Sequence, residues 1–363
     1  MEETTWNNDF EEDDEQFSAD FAEQTDESLY EHFRFVADKG QSLLRVDKFL
    51  TDRIEGTSRS RIQQAADANY VLANGVAVPS NYKVKPLDVI TVVMDRPRHE
   101  LEIIPEDIPI NIVYEDEDVL VVNKAAGMVV HPGHGNYTGT LINAVAWHLK
   151  DNDQFEAKDP RMGIVHRIDK DTSGLLVVAK NPMAKTHLGY QFFRKTTKRQ
   201  YIAVVWGNVK NDTGVIDVNL GRHPTNRLWM TVFPDGDTGK HAVTHYKVLE
   251  RYGYATLVEC HLETGRTHQI RVHMKHIGHT LFNDERYGGD IILRGTYQTK
   301  YRQFIYNCFN TCRRQALHAQ TLGFVHPRTG EEVFFESPIP EDMRLLIEKW
   351  RRYIANEDWE DIY

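Results

Sequence analysis

Residues 163–180, GIVHRIDKDTSGLLVVAK, press His166, Arg167, Asp169, Lys170, Asp171, Thr172 and Ser173 into eight positions and then run into apolar chain. A short apolar run bounded by a turn reads as a buried strand. Asp169 therefore sits at the mouth of a rigid element, where a reacting carboxylate is best positioned. Among apolar neighbours it needs a cationic partner to stay ionised, because desolvation raises a carboxyl pKa and a nearby positive charge lowers it. Arginine is the natural candidate. A purely local alternative is an aspartate that caps the Thr172–Ser173 turn.

Further strands are expected in NIVYEDEDVLVVNKAAGMVVHPG (strand, acidic turn, strand, glycine turn, strand), RQYIAVVWGNV, HAVTHYKVLERY, YATLVECHLE and GEEVFFESPI. Helices are expected near 139–150, 182–194, 267–277 and 340–355. Strands and helices that interleave irregularly predict an α+β domain with a mixed, largely antiparallel sheet. Ahead of it, Leu43, Leu44, Val46, Phe49, Leu50 and Ile54 recur at helical spacing. Thr57 and Ser58 are candidate caps of a second helix, VLANGVAV holds an Asn-Gly turn, and DVITVVM closes a small unit. DRPRHELEIIPEDIPI reads as a linker, because its prolines and charges break any period.

At 363 residues the chain holds room for a large core and a second, smaller unit. Its longest apolar runs fall short of the roughly 20 residues of a membrane span. The N-terminus, MEETTWNNDFEEDDEQF, is acidic where a secretory leader is basic and then apolar, which places the protein in the cytoplasm. Cys260, Cys308 and Cys312 form no even disulfide framework, and the C-x3-C spacing of the last two does not suit zinc. No metal is expected. The net charge of -11 argues against nucleic acid, yet thirteen of the 54 acidic residues fall in residues 1–33, which contain no Lys or Arg. What remains is 41 acidic residues against 43 basic ones, so the body can present basic faces. The first forty residues read as a disordered acidic tail.

Four clusters are candidates for chemistry. The first surrounds Asp169; it lacks the G-x-S-x-G elbow of a serine hydrolase around Ser173, and the polar His-Arg pair spoils the apolar strand expected before an aspartyl-phosphate nucleophile. The second, ETGRTHQIRVHMKHIGHTLFNDERYGGD, sets Arg266, His268, Arg271, His273, Lys275 and His276 on and before a helix beginning near Thr267, a basic stripe suited to phosphates or a carboxylate. The third joins Arg313, Arg314 and His318 to the apolar run of RRQALHAQTLGFVHP. The fourth places Arg194, Lys195, Lys198 and Arg199 before Tyr201, a basic approach with an aromatic on which a base can stack. HPGHGNYTG matches no phosphate loop.

These motifs resemble those of the RluA-type pseudouridine synthases. HRIDKDTSGLLVVAK, VLVVNKAAGMVVHPG, RQYIAVVWG, TGRTHQIRVHM, GHTLFNDERYG and RQALHAQTLGFVHP are similar to the family's blocks in their order, and HPGHGNYTGTLINAV leans toward its RluD-like branch. RVDKFL, SRSRI and VLANGVAV resemble an S4 RNA-binding domain. The chain then divides into the acidic tail (1–40), an S4 domain (42–95), the linker (96–110) and the catalytic domain (111–355). The resemblance implies Asp169 as the catalytic aspartate, Tyr201 as the aromatic stacking on uracil, and Arg271 as the partner holding Asp169 ionised. It implies that Arg167 enters the stack where the target base leaves and that Ile270 contacts uracil. Arg266 and His268 join the RNA contacts, with Arg45, Lys48, Arg59 and Arg61 in the S4 domain. The implied reaction is isomerisation of uridine in RNA, most readily 23S ribosomal RNA of the large subunit, by a monomer that requires no cofactor.

A base inside a stacked helix is out of reach and must be flipped out. Whether the Asp169 carboxylate adds to sugar or base, or opens a glycal route, stays open at the level of sequence. Two departures stand out: Ala125-Ala126 where the family usually carries proline after Asn-Lys, and Asn283 where glycine is usual before the aspartate. Competing readings are a catalytically silent ribosome-assembly factor of the same fold, a magnesium-dependent phosphotransferase using Asp169 and Asp171, and a synthase acting on transfer RNA.

Overall fold

The computed structural model describes residues 30–54, 57–94, 103–132, 138–153, 155, 163–224, 229–236 and 238–355, and the chain divides into two compact units at 102/103. The smaller unit runs β1 (Tyr30–Val36), β2 (Leu44–Arg45), α1 (Val46–Thr51), α2 (Arg59–Asp67), β3 (Val71–Ala73), β4 (Val76–Ala77), β5 (Lys83–Val84) and β6 (Val89–Met94). A sheet ordered β1-β6-β3-β4 and the pair β2-β5 frame a core in which Val46, Phe49 and Leu50 of α1 and Ile62 and Ala66 of α2 meet Val71, Ile90 and Val92. Ser58 caps α2 by accepting from the Arg61 N–H. Asn74 and Gly75 turn the β3–β4 hairpin with φ of 52° and 83°, the two left-handed residues such a tight turn requires. Strand β1 lies within residues 1–40 and corrects the extent of the expected tail: Phe33, Phe35 and Val36 pair with Val92, Ile90 and Val89 of β6, so alternating apolar residues give this stretch a sheet to join. Residues 1–29 and 95–102 lie outside the described residues.

The larger unit contains β7 (Ile112–Glu115), β8 (Val119–Lys124), α3 (Leu141–His148), β9 (Ser173–Ala179), α4 (Pro182–Phe193), β10 (Lys198–Trp206), β11 (Thr213–Arg222), β12 (Met230–Phe233), β13 (Lys240–Arg251), β14 (Ala255–Leu262), α5 (Gln269–His276), α6 (Thr299–Thr311), β15 (Leu317–Val325), β16 (Glu332–Glu336) and α7 (Glu341–Ala355). Its sheet is ordered β12-β11-β13-β14-β10-β15-β9-β8-β7, with β16 pairing β15. All pairings are antiparallel except β9 with β15, so the sheet is mixed and largely antiparallel. Every residue of β9 is buried. Leu176 and Val178 face one core with Leu120 and Val122, while Leu175 and Val177 face another with Val119 and Val121. Covering on both faces explains why this strand carries no polar alternation.

The parallel pairing lasts only from Ser173 and Gly174 to His318 and Ala319, then β9 and β15 diverge. Gly174 has φ 122°, and a Cβ there would stand 2.2 Å from the Ala319 carbonyl oxygen. Only glycine lets the chain enter the sheet at this point, which places Asp169 at the edge of the junction. Past β15 comes β10, and Tyr201 pairs with Ala319.

Two further expectations are corrected. Residues 128–130 form no strand, because the Lys124 ammonium draws the carbonyls of Ala125 and Met128 inward and the carbonyls of Val129 and Val130 accept from Leu141 and Ile142 at the start of α3. The helix expected from Thr267 begins at Gln269, since His268 is left-handed (φ 54°). Helix α6 and strands β11 and β12 had no counterpart in the sequence pattern. The described part of the linker packs on the larger unit, where Asn143 Nδ2 donates to the Ile104 carbonyl. No helix among the described residues is long and apolar enough to cross a membrane.

Candidate active site

Asp169 lies in the extended segment before β9 and is held from behind by its neighbours' backbone. The Lys124 Nζ, on a fully buried side chain, donates to the carbonyls of Ala125, Met128 and Lys170, each at 2.8 Å. Arg314 donates to the carbonyl of Asp171 at 2.9 Å and to Ser173 Oγ at 3.2 Å while pairing with Asp342. The cluster of Arg314 and His318 is thus a bracket for the Asp169 loop. His318 meets Ser173 Oγ at 2.9 Å, whereas His166 Nε2 accepts from the Val177 N–H, so Ser173 and His166 form no hydrolase pair.

Arg271, on α5, binds two acids at once. Its Nε and Nη2 donate to Asp284 Oδ2 and Oδ1 at 2.7 and 2.8 Å, and its Nη1 donates to Asp169 Oδ2 at 2.9 Å. Asp284 is fully buried, while 18 % of the Asp169 side chain is exposed. A guanidinium fork suits this geometry because its donors are fixed in one plane. Burial pushes the Asp169 carboxyl upward, but the charges of His268, Arg271 and Arg167 and the Arg271 hydrogen bond outweigh it and hold the pKa at about 2. Burial also lowers His268 to about 4. At neutral pH that imidazole is uncharged, and the arginines keep Asp169 ionised.

The remaining site residues surround this pair. His268 Nε2 stands 3.9 Å from Asp169 Oδ1, and its Nδ1 meets the Tyr287 hydroxyl at 2.7 Å. Tyr201 and Ile270 are buried in the same core cluster as Ile168. The Tyr201 phenol is pushed up by burial and by the Asp169 charge, although Arg199 opposes the shift. Arg167 is exposed beside Asp169, and Arg266 N donates to Gln269 Oε1 at the head of α5. The expected basic stripe on α5 is not a single solvent face. Arg271 turns to the acids, buried His273 meets Thr244 Oγ1, and only Lys275 and His276 are exposed.

Asp284, Tyr287 and Lys124 complete the arrangement without having been singled out by sequence, while Arg314, named in the third cluster, brackets the Asp169 loop. A signal existed for Asp284, the first acid of the FNDERYG block. Asn283 before it takes the left-handed conformation (φ 57°) in which glycine is at ease, and its Nδ2 donates to the Cys312 and Phe309 carbonyls. Asparagine tolerates this region better than other side chains, so the departure from glycine leaves the turn intact.

Arg45, Lys48, Arg59 and Arg61 lie in the smaller unit. Arg45 and Arg59 both donate to buried Asp47, as does Gln63, and Asp47 is held well below the usual carboxylate range. This carboxylate ties the start of α1 to α2 and fixes two arginines, each about half-exposed, beside exposed Lys48 and Arg61. The glycine-rich loop at 133–137 lies outside the described residues. Asp116, Asp118 and His326 converge within 4.8 Å, but Tyr114 and His326 engage Asp116, and Arg328 and Asn181 hold Asp118. Protein donors already take these oxygens. The three cysteines are buried and unpaired.

Four histidines, His166, His268, His273 and His318, are lowered by burial from 6.5 to about 3, 4, 4 and 4. Below pH 6.5 the unfolded chain binds protons at these positions and the native protein does not, so native stability is fully present above 6.5 and falls as pH drops toward 4. The expected slope is roughly 1.4 kcal/mol per histidine per pH unit as an upper bound. Urea midpoints at pH 7 and pH 5 measure it, and equal midpoints would contradict the burial of these rings.

A carboxylate kept ionised by a buried arginine, under a two-sided mixed sheet, defines a class. The fold is that of the pseudouridylate synthases: the human RNA pseudouridylate synthase domain containing 4 superposes with a TM-score of 0.52 at 22% identity, over 66% of this chain and 93% of that one. The family profile described as RNA pseudouridylate synthase matches residues 118–276. An uncharacterized RNA pseudouridine synthase of Chlorobaculum parvum is 49% identical over 86% of this chain and 96% of its own. A ribosomal large subunit pseudouridine synthase D of Zymomonas mobilis is 44% identical over 83% of this chain and 92% of its own. The chain belongs to the RluA-type RNA pseudouridine synthases, enzymes that isomerise uridine to pseudouridine in RNA, and is RluD-like within them.

Proposed function

We propose that this protein converts uridines of large-subunit ribosomal RNA, with Asp169 as the reacting group. The carrying observation is the asymmetry of the two acids on Arg271: Asp284 is buried and doubly bonded, whereas Asp169 Oδ1 makes no hydrogen bond among the described residues, with His268 Nε2 3.9 Å away. Asp284 then holds the arginine, and the arginine holds Asp169 charged for the nucleotide. Tyr201 stacks on the flipped uracil, Ile270 packs against it, and Arg167 fills the space the base leaves. In the reaction the N1–C1′ bond breaks, the uracil turns, the C5–C1′ bond forms, the C5 proton leaves and N1 gains a proton. The relative named for the ribosomal large subunit supports the choice of RNA.

The unit at 42–95 reads as an S4 RNA-binding domain, with Arg45, Lys48, Arg59 and Arg61 as its phosphate contacts, joined by the linker at 96–110 to the catalytic domain at 111–355. Charges near the start of a helix suit phosphate, since free N–H groups and the helix dipole act with them. The test is tritium release from RNA carrying [5-³H]uridine in the presence of EDTA. Release from a large-subunit transcript and none from transfer RNA is the expected result. Release from transfer RNA alone would overturn the choice of substrate.

A further inference from the structure

Three buried polar atoms without hydrogen-bond partners belong to residues shortly before Asp169 and Tyr201 in the chain: His166 Nδ1, Thr197 Oγ1 and Arg199 Nε. His166 stacks on Phe192 with ring centroids 4.4 Å apart, and the Arg199 guanidinium lies 5.5 Å from the same ring. Thr197 lies in the bend just before β10, and Arg199 and Tyr201 follow in the strand, close enough that the Arg199 charge acts on the Tyr201 phenol. Of the four basic residues before Tyr201, Arg194, Lys195 and Lys198 are exposed, and only Arg199, 9% exposed, turns inward.

The chemistry of these atoms is one-sided. His166 Nε2 accepts from the Val177 N–H at 3.0 Å, so in the neutral ring the proton sits on Nδ1, and the unpartnered atom is a donor. Burial, followed by the Arg199 charge, keeps that ring neutral, with a pKa of about 3. Arg199 Nε is a second donor, and the Thr197 hydroxyl serves in either sense. Among the described residues the Arg199 guanidinium makes no ion pair and no hydrogen bond. A buried cation without an acid is costly unless an anion completes it. Room for the guanidinium is built in: a Cβ at Gly265 would stand 2.6 Å from Arg199 Nη1.

We propose that Arg199, His166 and Thr197 form a binding site for one backbone phosphodiester of the RNA, beside the flipped uridine. The proposal rests on the reading of Asp169 as the group that meets the nucleotide. A phosphodiester supplies the negative charge and the acceptor oxygens that these donors lack. It also fixes the backbone next to the base on Tyr201, making Arg199 a positioning residue.

The experiment measures binding of Asp169→Asn protein to a large-subunit rRNA transcript over a KCl series, alone and combined with Arg199→Gln or Arg199→Lys. Arg199→Gln is expected to weaken binding about tenfold and to reduce the slope of log K against log salt by about 0.7, the value of one single-strand phosphate contact. Arg199→Lys should keep the slope. Equal slopes for arginine and glutamine would overturn the site. Should the glutamine variant fail to fold, phosphate ethylation of the transcript gives the answer with Asp169→Asn protein alone. Ethylation at a phosphate flanking the converted uridine, located by carbodiimide treatment and reverse transcription, should exclude RNA from the bound fraction, and its absence there overturns the proposal. Tritium release by the wild type on the same transcript separates the failures. No release removes the synthase reading for that RNA, and release with unchanged slope removes only the phosphate site.

Discussion

Asp169→Asn protein is expected to fold, to bind RNA and to release no measurable tritium from [5-³H]uridine, a loss of at least roughly 10⁴-fold in rate. Asparagine keeps an oxygen where Arg271 Nη1 now donates at 2.9 Å, so the bracket around the loop persists and the melting temperature moves little. What disappears is the charge. Arg271 holds that charge in place, together with Arg167, and an amide cannot replace a carboxylate as nucleophile or base. Asp169→Glu is the sharper control. It restores the carboxylate but pushes it one methylene further along, away from the fork geometry, and activity should stay far below wild type. Full activity of the asparagine variant in tritium release would remove Asp169 from the chemistry.

Arg271→Met is expected to destabilise the protein by about 3–5 kcal/mol, the usual cost of removing one partner of a buried pair. Among the described residues it leaves Asp284, fully buried, with only the Tyr287 N–H at 3.2 Å, and it leaves Asp169 without its hydrogen bond to Arg271. Adding Asp284→Leu removes the stranded charge, so the double variant should regain much of the stability while remaining inactive. That pairing separates structure from catalysis. Arg271→Lys keeps a charge but cannot present three planar donors to two acids. Its Asp169 pKa rises from about 2 toward the ordinary 3.8 or above, because burial is then less opposed. The acid limb of its pH–rate profile accordingly shifts upward, since the active form is the ionised one. Urea unfolding and pH–rate profiles of the three variants check both statements, and a double variant as unstable as Arg271→Met would contradict the stranded-charge account.

Much of this molecule is legible locally. GLLVV announces a buried strand and the TSG turn announces an entry point, whereas the need for glycine at 174 comes from the Ala319 carbonyl, 2.2 Å from its missing Cβ, which only the fold brings there. Contiguous motifs pointed to Asp169, Tyr201 and Arg271, and the fold brings Arg271 Nη1 to 2.9 Å from Asp169. The mixed sheet followed from irregular strand and helix alternation. Less legible were β1, whose apolar alternation sits behind a strongly acidic stretch, and residues 128–130, whose β-prone chain yields to the Lys124 ammonium.

Sequence alone determined which groups are present: a carboxylate before a buried strand, an aromatic at a strand start, and a basic segment before and on a helix. Tertiary structure decided which of the basic residues serve which acid. Arg271 and Asp169 are 102 positions apart, and Arg314 reaches across 143 positions to the Asp171 carbonyl. Periodicity reports which face of an element is buried, but not what it is buried against, because hydrophobic burial is non-directional while ion pairs and hydrogen bonds require particular atoms within about 3 Å. Only the folded sheet brings those atoms together. It also leaves Arg199 buried without an acid, a vacancy of charge that no spacing in the sequence reveals.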